Sequence, residues 1–438
     1  MTLFGTSGIR GPVGETVTAD LALSVGRALG VDSDRVVVGR DPRGSGEFLQ
    51  SALVAGLRES GTDVVDVGLA STPTVGRAVG WHDADAGVSV TASHNPPQDN
   101  GLKLWQPSGQ AFDSEMRETI EGRIHEGAFD PADWDETGGL ESADARTPHA
   151  EAIRAALDAD SLDSDVVVDV GNGAGGVTPD ALQSLGCHVE TLNGQPDGAF
   201  PGRPSEPTPE NCESLSTLVE ASDADVGIAH DGDADRMRAV AGDGTYLSGD
   251  VLLAIFARAA AEAGERVAVP VDTSLAVADH LAEIDVDVEY TPVGDVYVAE
   301  AASEPGVAFG GEPSGAWIWP DRTLCPDGPL AACTAVALDA ERSLADRAAE
   351  VPDYPIRRDN VEVEDKGAVM SRVRDSVLDE YDDATTLDGV RVDLGDGWFL
   401  LRASGTQPLI RITAEAREEE RADEVLAAAR EILTDARE

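Results

Sequence analysis

The feature that most constrains the fold is a repeated pattern in which a short apolar run ends directly in a polar loop rich in Gly or Pro. The runs and their loops lie at residues 87–91 and 92–97, 226–229 and 230–236, and 307–309 and 310–315. Between them, helix-type spacing alternates with further strand-type runs, which is typical of α/β domains. Because ligands bind beyond the carboxyl ends of strands in open α/β sheets, we expect the three loops to face one central cleft.

The chain has 438 residues, too many for one compact core, and the pattern restarts along it. We predict three similar α/β domains with mixed sheets and a C-terminal α+β domain, whose strands are followed by a charged terminal helix. The predicted domain boundaries are 1–146, 147–246, 247–350 and 351–438.

Acidic residues dominate the charge, with 83 Asp and Glu against 32 Lys and Arg, a formal net charge of −51. This imbalance argues against nucleic acid as a partner, because phosphate binding needs a basic face. The acids are interspersed among aliphatic residues, which favours a folded acidic surface over disorder. Such a surface repels itself unless salt screens it, so we expect a high-salt cytosol, as in halophiles.

The sequence gives no sign of export or of membrane insertion. No run of about 18 apolar residues is present, and the first residues lack a basic segment followed by an apolar stretch. We therefore expect a cytoplasmic protein without a membrane partner, either a monomer or a homodimer. The four cysteines form no C-x-x-C pair and are interpreted as packing residues.

The loop after the second apolar run holds three carboxylates at alternate positions, Asp231, Asp233 and Asp235, followed by Arg236. If the loop curls, the carboxylates can converge on one hard cation. An EF-hand is excluded because that loop needs Gly at its sixth position, where this chain has Arg236. Three carboxylates leave room for a phosphate oxygen on Mg²⁺, so we predict a magnesium site.

Ser93 follows the strand at residues 87–91 and precedes the turn at Pro96, so its hydroxyl is a possible nucleophile. A Ser-His-Asp hydrolase is disfavoured because G-x-S-x-G is absent and because neighbouring residues in a strand, here Ser93 and His94, would point to opposite faces. The Gly-rich segment 171–176 lacks the G-K-[ST] of a P-loop and predicts close packing between strand and helix.

Five motifs, three of which lie in the loops described above, resemble those of a known family. They are FGTSGIRG at 4–11, TASHNP at 91–96 with NGLK at 100–103, DGDADR at 231–236, GEPSG at 311–315 and RASGTQP at 402–408. Together and in this order they closely resemble the α-D-phosphohexomutase family across essentially the whole chain. The resemblance implies an isomerase that moves a phosphoryl group between two positions of one hexose.

For the phosphoryl site, the resemblance implies that Ser93 carries the phosphoryl group and that Mg²⁺ lies between it and the three aspartates. Arg10 and Arg236 would stabilise negative charge on the phosphoryl oxygens. Lys103, one of only two lysines, matches the family's general acid/base, and it could alternatively act only as a charge clamp.

For the sugar and its second phosphate, the resemblance assigns two other loops. Glu312 and Ser314 would bind adjacent sugar hydroxyls. The phosphate that is not being transferred would be bound by donors from the last motif and the strand after it, namely Arg402, Ser404, Gly405, Thr406 and Arg411.

The segment V-G-D-x-Y-V at 293–298 resembles that of the phosphoglucosamine mutases in this family, so Asp295 is the predicted contact for a sugar ammonium group. The implied reaction converts glucosamine 6-phosphate into glucosamine 1-phosphate through a bisphosphorylated sugar, which also serves as activator. The alternative substrates are glucose and mannose phosphates. A non-catalytic protein that binds sugar phosphates or cations is the alternative from another class.

Overall fold

The computed structural model describes residues 3–157, 161–381, 383–404 and 408–437. The chain divides into two compact units: one contains residues 1–252 and 314–348, and the other contains residues 253–313 and 349–438. Among the described residues, none of the helices combines the length and the apolar character needed to cross a membrane.

The first unit alternates strands and helices along most of its length, with elements numbered here in chain order. Its strands are β1 Ile9–Pro12, β2 Arg35–Arg40, β3 Asp63–Leu69, β4 Ala86–Val90, β5 Asp99–Trp105, β6 Leu140–Ser142, β7 Asp165–Asp169, β8 His188–Leu192, β9 Val226–His230, β10 Met237–Ala241 and β14 Trp317–Ile318. Its helices are α1 Ala19–Gly30, α2 Gly46–Glu59, α3 Thr72–Trp81, α4 Ser114–Glu126, α5 Arg146–Leu157, α6 Val177–Ser184, α7 Glu213–Glu220, α11 Gly328–Glu341 and α12 Leu344–Ala348.

The first sheet has the order β1-β5-β4-β2-β3-β6 and is mixed, since β2 pairs in parallel with β3 and β4 whereas β5 runs antiparallel to both β4 and β1. Its central strands β2 and β4 are apolar and buried, as expected of strands covered by helices on both faces. Both strands end at the same edge, and the chain leaves β4 there toward Ser93.

The second sheet has the order β10-β9-β7-β8 and is also mixed. Strand β9 pairs in parallel with β7 and antiparallel with β10. The residues His230 and Met237 are paired across this hairpin, so the connecting loop is the acidic segment 231–236. The hairpin therefore closes the loop at both ends.

A buried polar network joins three helices of the first unit. Asp327, which is fully buried, caps α11 by accepting from Leu330 N at 2.9 Å and also pairs with Arg77 of α3 at 2.6 Å. His149 of α5 lies 3.1 Å from Asp327 through Nε2 and 2.8 Å from the Thr74 hydroxyl through Nδ1. These contacts fix the N-terminal turn of α3.

The second unit holds the rest of the chain. Its strands are β11 Arg266–Pro270, β12 Asp287–Thr291, β13 Val307–Gly311, β15 Ile356–Glu362, β16 Ala384–Thr385, β17 Val390–Asp393, β18 Gly397–Ala403 and β19 Leu409–Ala416. Its helices are α9 Leu275–Ala282, α10 Asp295–Ala302, α13 Lys366–Glu380 and α14 Glu419–Asp435, while α8 Gly249–Ala260 begins in the first unit and ends in the second.

Two kinds of sheet occur in the second unit. Strand β11 pairs in parallel with both β12 and β13. The five strands of the C-terminal sheet follow the order β15-β19-β18-β17-β16 and are all antiparallel, with α13 and α14 packed on an apolar core. The predicted fold class, α/β domains followed by a C-terminal α+β domain, is confirmed.

Two buried charged residues tie the C-terminal sheet to the segment around α9. Glu415 of β19 accepts hydrogen bonds from the Ser274 hydroxyl at 2.5 Å, from Leu275 N at 2.7 Å and from Trp398 Nε1 at 2.6 Å. Arg391 of β17 donates to the carbonyl of Val271 and lies against the rings of Trp398 and Tyr290. Buried charges are stable only with such partners, so the C-terminal sheet depends on its contacts with the segment around α9.

Candidate active site

Ser93 occupies a tight turn just beyond the end of β4. Its φ is +51°, in the left-handed region that non-glycine residues seldom adopt, and its N–H donates to the Thr91 hydroxyl at 2.9 Å. The Ser93 hydroxyl donates to Asp231 Oδ2 at 2.6 Å and lies 3.4 Å from Asp235 Oδ1. The turn thus places the predicted nucleophile against the acidic loop.

Arg43 holds this turn in place, and sequence reasoning missed it. The buried Arg43 guanidinium donates to the carbonyls of Ser93 at 2.7 Å and Asn95 at 2.6 Å, and to those of Pro96 and Asp99. Asp41 balances its charge at 2.9 Å. Asp41 and Arg43 directly follow the apolar strand β2, so the rule that loops after strands carry function could have found them.

The three predicted metal ligands converge. Asp231, Asp233 and Asp235 are all buried, and one oxygen from each lies within 4.8 Å of the others. The left-handed conformation of Ala234, with φ of +55°, curls the loop between them. On the opposite side the loop packs on the Gly-rich segment, where Ala174 N donates to the Gly232 carbonyl at 2.9 Å.

Lys103 reaches the same carboxylates from β5. Its buried ammonium forms ion pairs with Asp233 Oδ2, at 2.8 Å, and with Asp235 Oδ2. Thr72, the first residue of α3, also donates to Asp233 Oδ2, at 2.6 Å. Sequence reasoning found Lys103 but missed Thr72, because nothing in its local sequence marks a contact across 161 residues.

The charges of the loop act strongly on one another. Burial, with Asp235 and Asp233 nearby, raises the pKa of Asp231 well above its usual range. Burial also acts to raise the pKa of Asp233, but the Lys103 ammonium, the Thr72 hydroxyl and the charge of Arg10 together outweigh it and hold that pKa below its usual range. A cation bound among the three carboxylates would relieve their mutual repulsion.

Two histidines beside the loop are held neutral. Burial, together with the charges of Arg236, Arg10 and Lys103, lowers the pKa of His94 to about 3. Burial lowers the pKa of His230 to about 4, and its Nε2 lies 2.8 Å from the Thr178 hydroxyl. Neither imidazole adds positive charge to the site at neutral pH.

One argument against a Ser-His-Asp hydrolase was wrong. The strand ends at Val90, so Ser93 and His94 do not alternate across a sheet, and Ser93 Oγ lies 3.4 Å from His94 Nδ1. The hydrolase is still disfavoured by geometry, since the shorter contact of the Ser93 hydroxyl is to the acidic loop, at 2.6 Å from Asp231.

The two predicted arginines border the loops of the first unit. Arg236 donates its N–H to Asp231 Oδ1 at 3.2 Å, and its guanidinium lies 3.7 Å from Glu206. Arg10 lies on β1 opposite Gly101, and its charge contributes to the lowered pKa values of Asp233 and His94. The buried Nε of Arg10 has no hydrogen-bond partner among the described residues.

The residues of the acidic loop fit a divalent cation. All three donors are carboxylate oxygens, the ligands that Mg²⁺ prefers. Asp233 Oδ1 is buried and has no hydrogen-bond partner within the described part of the chain. A buried carboxylate oxygen without a partner is costly, and a bound cation would satisfy it.

The predicted sugar residues are divided between the two units. In the second unit, buried Glu312 accepts from Gly294 N at 2.8 Å, which places it beside Asp295, the first residue of α10. Ser314 belongs to the first unit and follows Pro313 in the chain. The structure therefore brings Glu312 and Asp295 together within one unit.

The predicted phosphate loop connects β18 to β19 in the second unit. Arg402 and Arg411 are directly paired across these strands, so their side chains share one face of the sheet. Arg402 forms an ion pair with Asp388 at 2.9 Å, and buried Ser404 accepts from the Lys366 ammonium through its carbonyl. Gly405 and Thr406 lie outside the described residues.

The remaining sequence interpretations concern packing. A Cβ on Gly173 would come within 2.7 Å of the Gly232 carbonyl oxygen, so this glycine allows close packing against the acidic loop, whereas the prediction was packing between a strand and a helix. The four cysteines are free and buried: Cys187, Cys212, Cys325 and Cys333.

Comparison with known proteins matches the chain along nearly its whole length. Residues 1–131, 147–244 and 248–354 match the descriptions "Phosphoglucomutase/phosphomannomutase, alpha/beta/alpha domain" I, II and III, in that order. Residues 360–432 match the C-terminal domain of the same family.

Full-length relatives come from archaea. A "probable phosphoglucosamine mutase" of Methanopyrus kandleri is 48% identical over 435 residues, covering 96% of this chain and 95% of the relative. A protein of the same name from Methanococcoides burtonii is 45% identical and covers 100% of both chains.

Solved structures of the same family have a similar fold. A phosphoglucomutase/phosphomannomutase family protein from Burkholderia thailandensis, 29% identical, superposes with a TM-score of 0.89 over 99% of this chain and 97% of its own. The N-acetylphosphoglucosamine mutase of Aspergillus fumigatus, 16% identical, shares the fold with a TM-score of 0.58 over 100% of this chain and 96% of its own. With four domain matches in order, full-length relatives and a converged site, the chain belongs to the phosphoglucomutase/phosphomannomutase family of α-D-phosphohexomutases, which are isomerases.

Proposed function

We propose that this mutase interconverts glucosamine 6-phosphate and glucosamine 1-phosphate, with Ser93 as the phosphoryl carrier. The observation that carries the proposal is the 2.6 Å contact between the Ser93 hydroxyl and Asp231, within a buried triad of carboxylates that Lys103 also contacts. A hydroxyl held beside a cation site and an ammonium group suits phosphoryl transfer, where positioning and charge stabilisation are the main tasks.

In the proposed cycle, phospho-Ser93 gives its phosphoryl group to the free hydroxyl of the sugar phosphate. The bond from phosphorus to Ser93 Oγ breaks, a bond from phosphorus to the sugar oxygen forms, and the hydroxyl proton leaves to a general base. The resulting bisphosphate reorients, and its other phosphoryl group returns to Ser93 Oγ while a proton returns to the freed sugar oxygen. The sugar phosphate is thereby isomerised and the phosphoenzyme is restored.

The residues around Ser93 have distinct proposed roles. Asp231, Asp233 and Asp235 hold Mg²⁺, which when bound would withdraw charge from the transferring phosphoryl oxygens. Arg10 and Arg236 stabilise the same charge from the protein side. Lys103, which pairs with Asp233 and Asp235, is the group that takes up and returns the proton in this cycle, and in its protonated form it also acts as a charge clamp.

Other loops would recognise the rest of the substrate. Glu312, Ser314 and Asp295 are the proposed contacts of the sugar. The second phosphate is bound by the loop after β18 and by the strand that follows it, through Arg402, Ser404, Gly405, Thr406 and Arg411. Guanidinium groups, hydroxyls and backbone N–H groups are all donors to phosphate oxygens.

Two observations support the amino sugar over glucose and mannose phosphates. Relatives at 45–48% identity carry the name "probable phosphoglucosamine mutase". In addition, the bond from Gly294 N to Glu312 Oε1 keeps Glu312 close to Asp295, so two acidic residues lie near each other in the second unit. Opposite charges near each other favour binding of the cationic sugar.

The substrate proposal predicts a clear preference in a coupled mutase assay run in concentrated KCl with Mg²⁺ and a trace of hexose bisphosphate. We expect kcat/KM for glucosamine phosphate to exceed that for glucose and mannose phosphates at least about tenfold, or about 1.4 kcal/mol in transition-state binding. Asp295→Asn should shrink this ratio.

The matched control is Asp287→Asn, an exposed acid on β12 in the same unit, which should leave the ratio unchanged. A preference for glucose or mannose phosphate would overturn the role of Asp295 and keep the mechanism. No turnover with any hexose phosphate would favour the non-catalytic binding protein.

We also propose that the enzyme works in the cytoplasm of a cell with high internal salt. The support is the net charge of −51, whose self-repulsion weakens as the screening length falls from about 10 Å at 0.1 M to about 3 Å at 1 M salt.

The melting temperature should therefore rise by about 10 °C or more between 0.1 M and about 3 M KCl, several kcal/mol for a chain of this size. Sucrose, which stabilises proteins by exclusion without screening charge, serves as the control and should raise Tm less. Equal Tm values at low and high KCl would contradict the high-salt proposal.

A further inference from the structure

Thr72, the first residue of α3, contacts the acidic loop. Thr72 is fully buried, and its hydroxyl donates to Asp233 Oδ2 at 2.6 Å. Its backbone N–H donates to the main-chain carbonyl of Asp233 at 2.9 Å. Thr72 therefore forms two hydrogen bonds with Asp233, one to its side chain and one to its backbone.

The two oxygens of the Asp233 carboxylate differ in their hydrogen bonding. Oδ2 accepts from both Thr72 and Lys103, at 2.6 and 2.8 Å, so its lone pairs are engaged. Oδ1 has no partner among the described residues and is buried. With Oδ2 fixed by two donors, rotation of the carboxylate is restrained and Oδ1 stays available to a cation.

Thr72 is itself held rigidly. Ser71 caps the helix by accepting a hydrogen bond from Thr74 N at 3.3 Å. The Thr74 hydroxyl is hydrogen-bonded to His149, which is in turn hydrogen-bonded to buried Asp327. The first N–H groups of a helix have no partner within the helix, so that of Thr72 is free to bond the loop. The position of Asp233 is thus set by a helix anchored in the core of the first unit.

We infer that Thr72 is a positioning residue for the metal site, holding Asp233 so that its free oxygen can bind the cation. This inference rests on the proposed magnesium site. Residues that orient metal ligands from behind typically change metal affinity about 10- to 100-fold when their hydrogen bond is lost. Thr72 touches neither the substrate nor the cation in this role.

The test measures binding directly, using Mn²⁺ as the probe by electron paramagnetic resonance and Mg²⁺ by calorimetry, on the full chain in concentrated KCl. Thr72→Val keeps the shape of the side chain and removes the hydroxyl. We expect it to weaken binding of both cations about 10-fold or more and to raise the Mg²⁺ concentration for half-maximal mutase activity in parallel. Thr72→Ser should restore near wild-type affinity.

Two control variants separate the possible failures. Thr62→Val removes a fully buried hydroxyl of the first unit that bonds the carbonyls of Gly30 and Ser33 and does not touch the loop, so it should lower Tm but leave cation affinity unchanged. Asp231→Asn identifies which binding event belongs to the triad, since weak cation binding to the acidic surface would survive it. If wild type shows no binding event that Asp231→Asn removes, the proposed metal site itself falls.

If the wild-type event is present and Thr72→Val binds within about twofold of it, the metal site stands and the role of Thr72 is overturned. Should Thr72→Val not fold, Thr72→Cys replaces it, because a thiol fills similar space and is only a weak donor. The same two outcomes then decide the question.

Discussion

Ser93→Ala is expected to abolish mutase turnover, with kcat falling by at least about 10⁴-fold, because the variant has no oxygen to carry the phosphoryl group. Ser93 also sits at φ of +51°, where alanine is strained, so Ser93→Gly provides a second variant that loses the hydroxyl while relieving the backbone. Both should be inactive in the coupled assay. Intact-mass measurement should show a phosphorylated wild type and two variants that take up no phosphate from hexose bisphosphate.

The control is Ser89→Ala, which removes a buried hydroxyl from β4 whose partner is Trp105 Nε1 at 3.0 Å. This variant should keep its phosphoserine and most of its activity. Turnover above about 1% of wild type in either Ser93 variant would exclude Ser93 as the obligatory carrier, because neither variant has an oxygen at this position to carry the phosphoryl group.

Asp235→Asn is expected to lower kcat/KM by about 10³-fold, corresponding to the several kcal/mol that a bound metal contributes to a phosphoryl-transfer transition state. The change removes one of three carboxylates and also one partner of Lys103. The loss of one charged ligand lowers the affinity of the site for Mg²⁺. A higher Mg²⁺ concentration should therefore recover part of the activity. The measurement is activity as a function of Mg²⁺ concentration.

Asp165→Asn, an exposed acid at the start of β7, is the matched control for removing one charge from this acidic chain, and its Mg²⁺ profile should equal that of wild type. Removal of divalent cations with a chelator should silence wild type, and Mg²⁺ should restore it. A wild type that stays active after chelation would end the metal proposal, whatever Asp235→Asn does.

The sequence allowed much of the site to be predicted because its residues follow strand ends. Ser93 and the three aspartates lie directly after apolar runs, and parallel strands bring such loops to one edge. Thr72 and Arg43 escaped prediction for different reasons. Thr72 contacts a residue 161 positions away, and its local sequence does not indicate this contact. Arg43 lies in the loop after β2, so its position after a strand could have identified it.

The fold class was predictable from alternating apolar and helix-type patterns, but pairings between distant strands were not. Strand β5, which carries Lys103, was not among the strands predicted from the sequence. Its antiparallel pairing with β4 aligns Lys103 opposite Ser89, which delivers the ammonium to the acidic loop. Pairing with β4, rather than the local sequence, makes this segment a strand.

The junction built on Glu415 and Arg391 affects how the second unit could be dissected. A fragment starting near residue 351 would lose Ser274, Leu275 and the carbonyl of Val271, leaving a carboxylate and a guanidinium of the hydrophobic interior without most of their partners. Orphaned charges of this kind cost several kcal/mol each. The C-terminal domain is therefore not a portable module, and residues 253–313 and 349–438 should melt as one cooperative block.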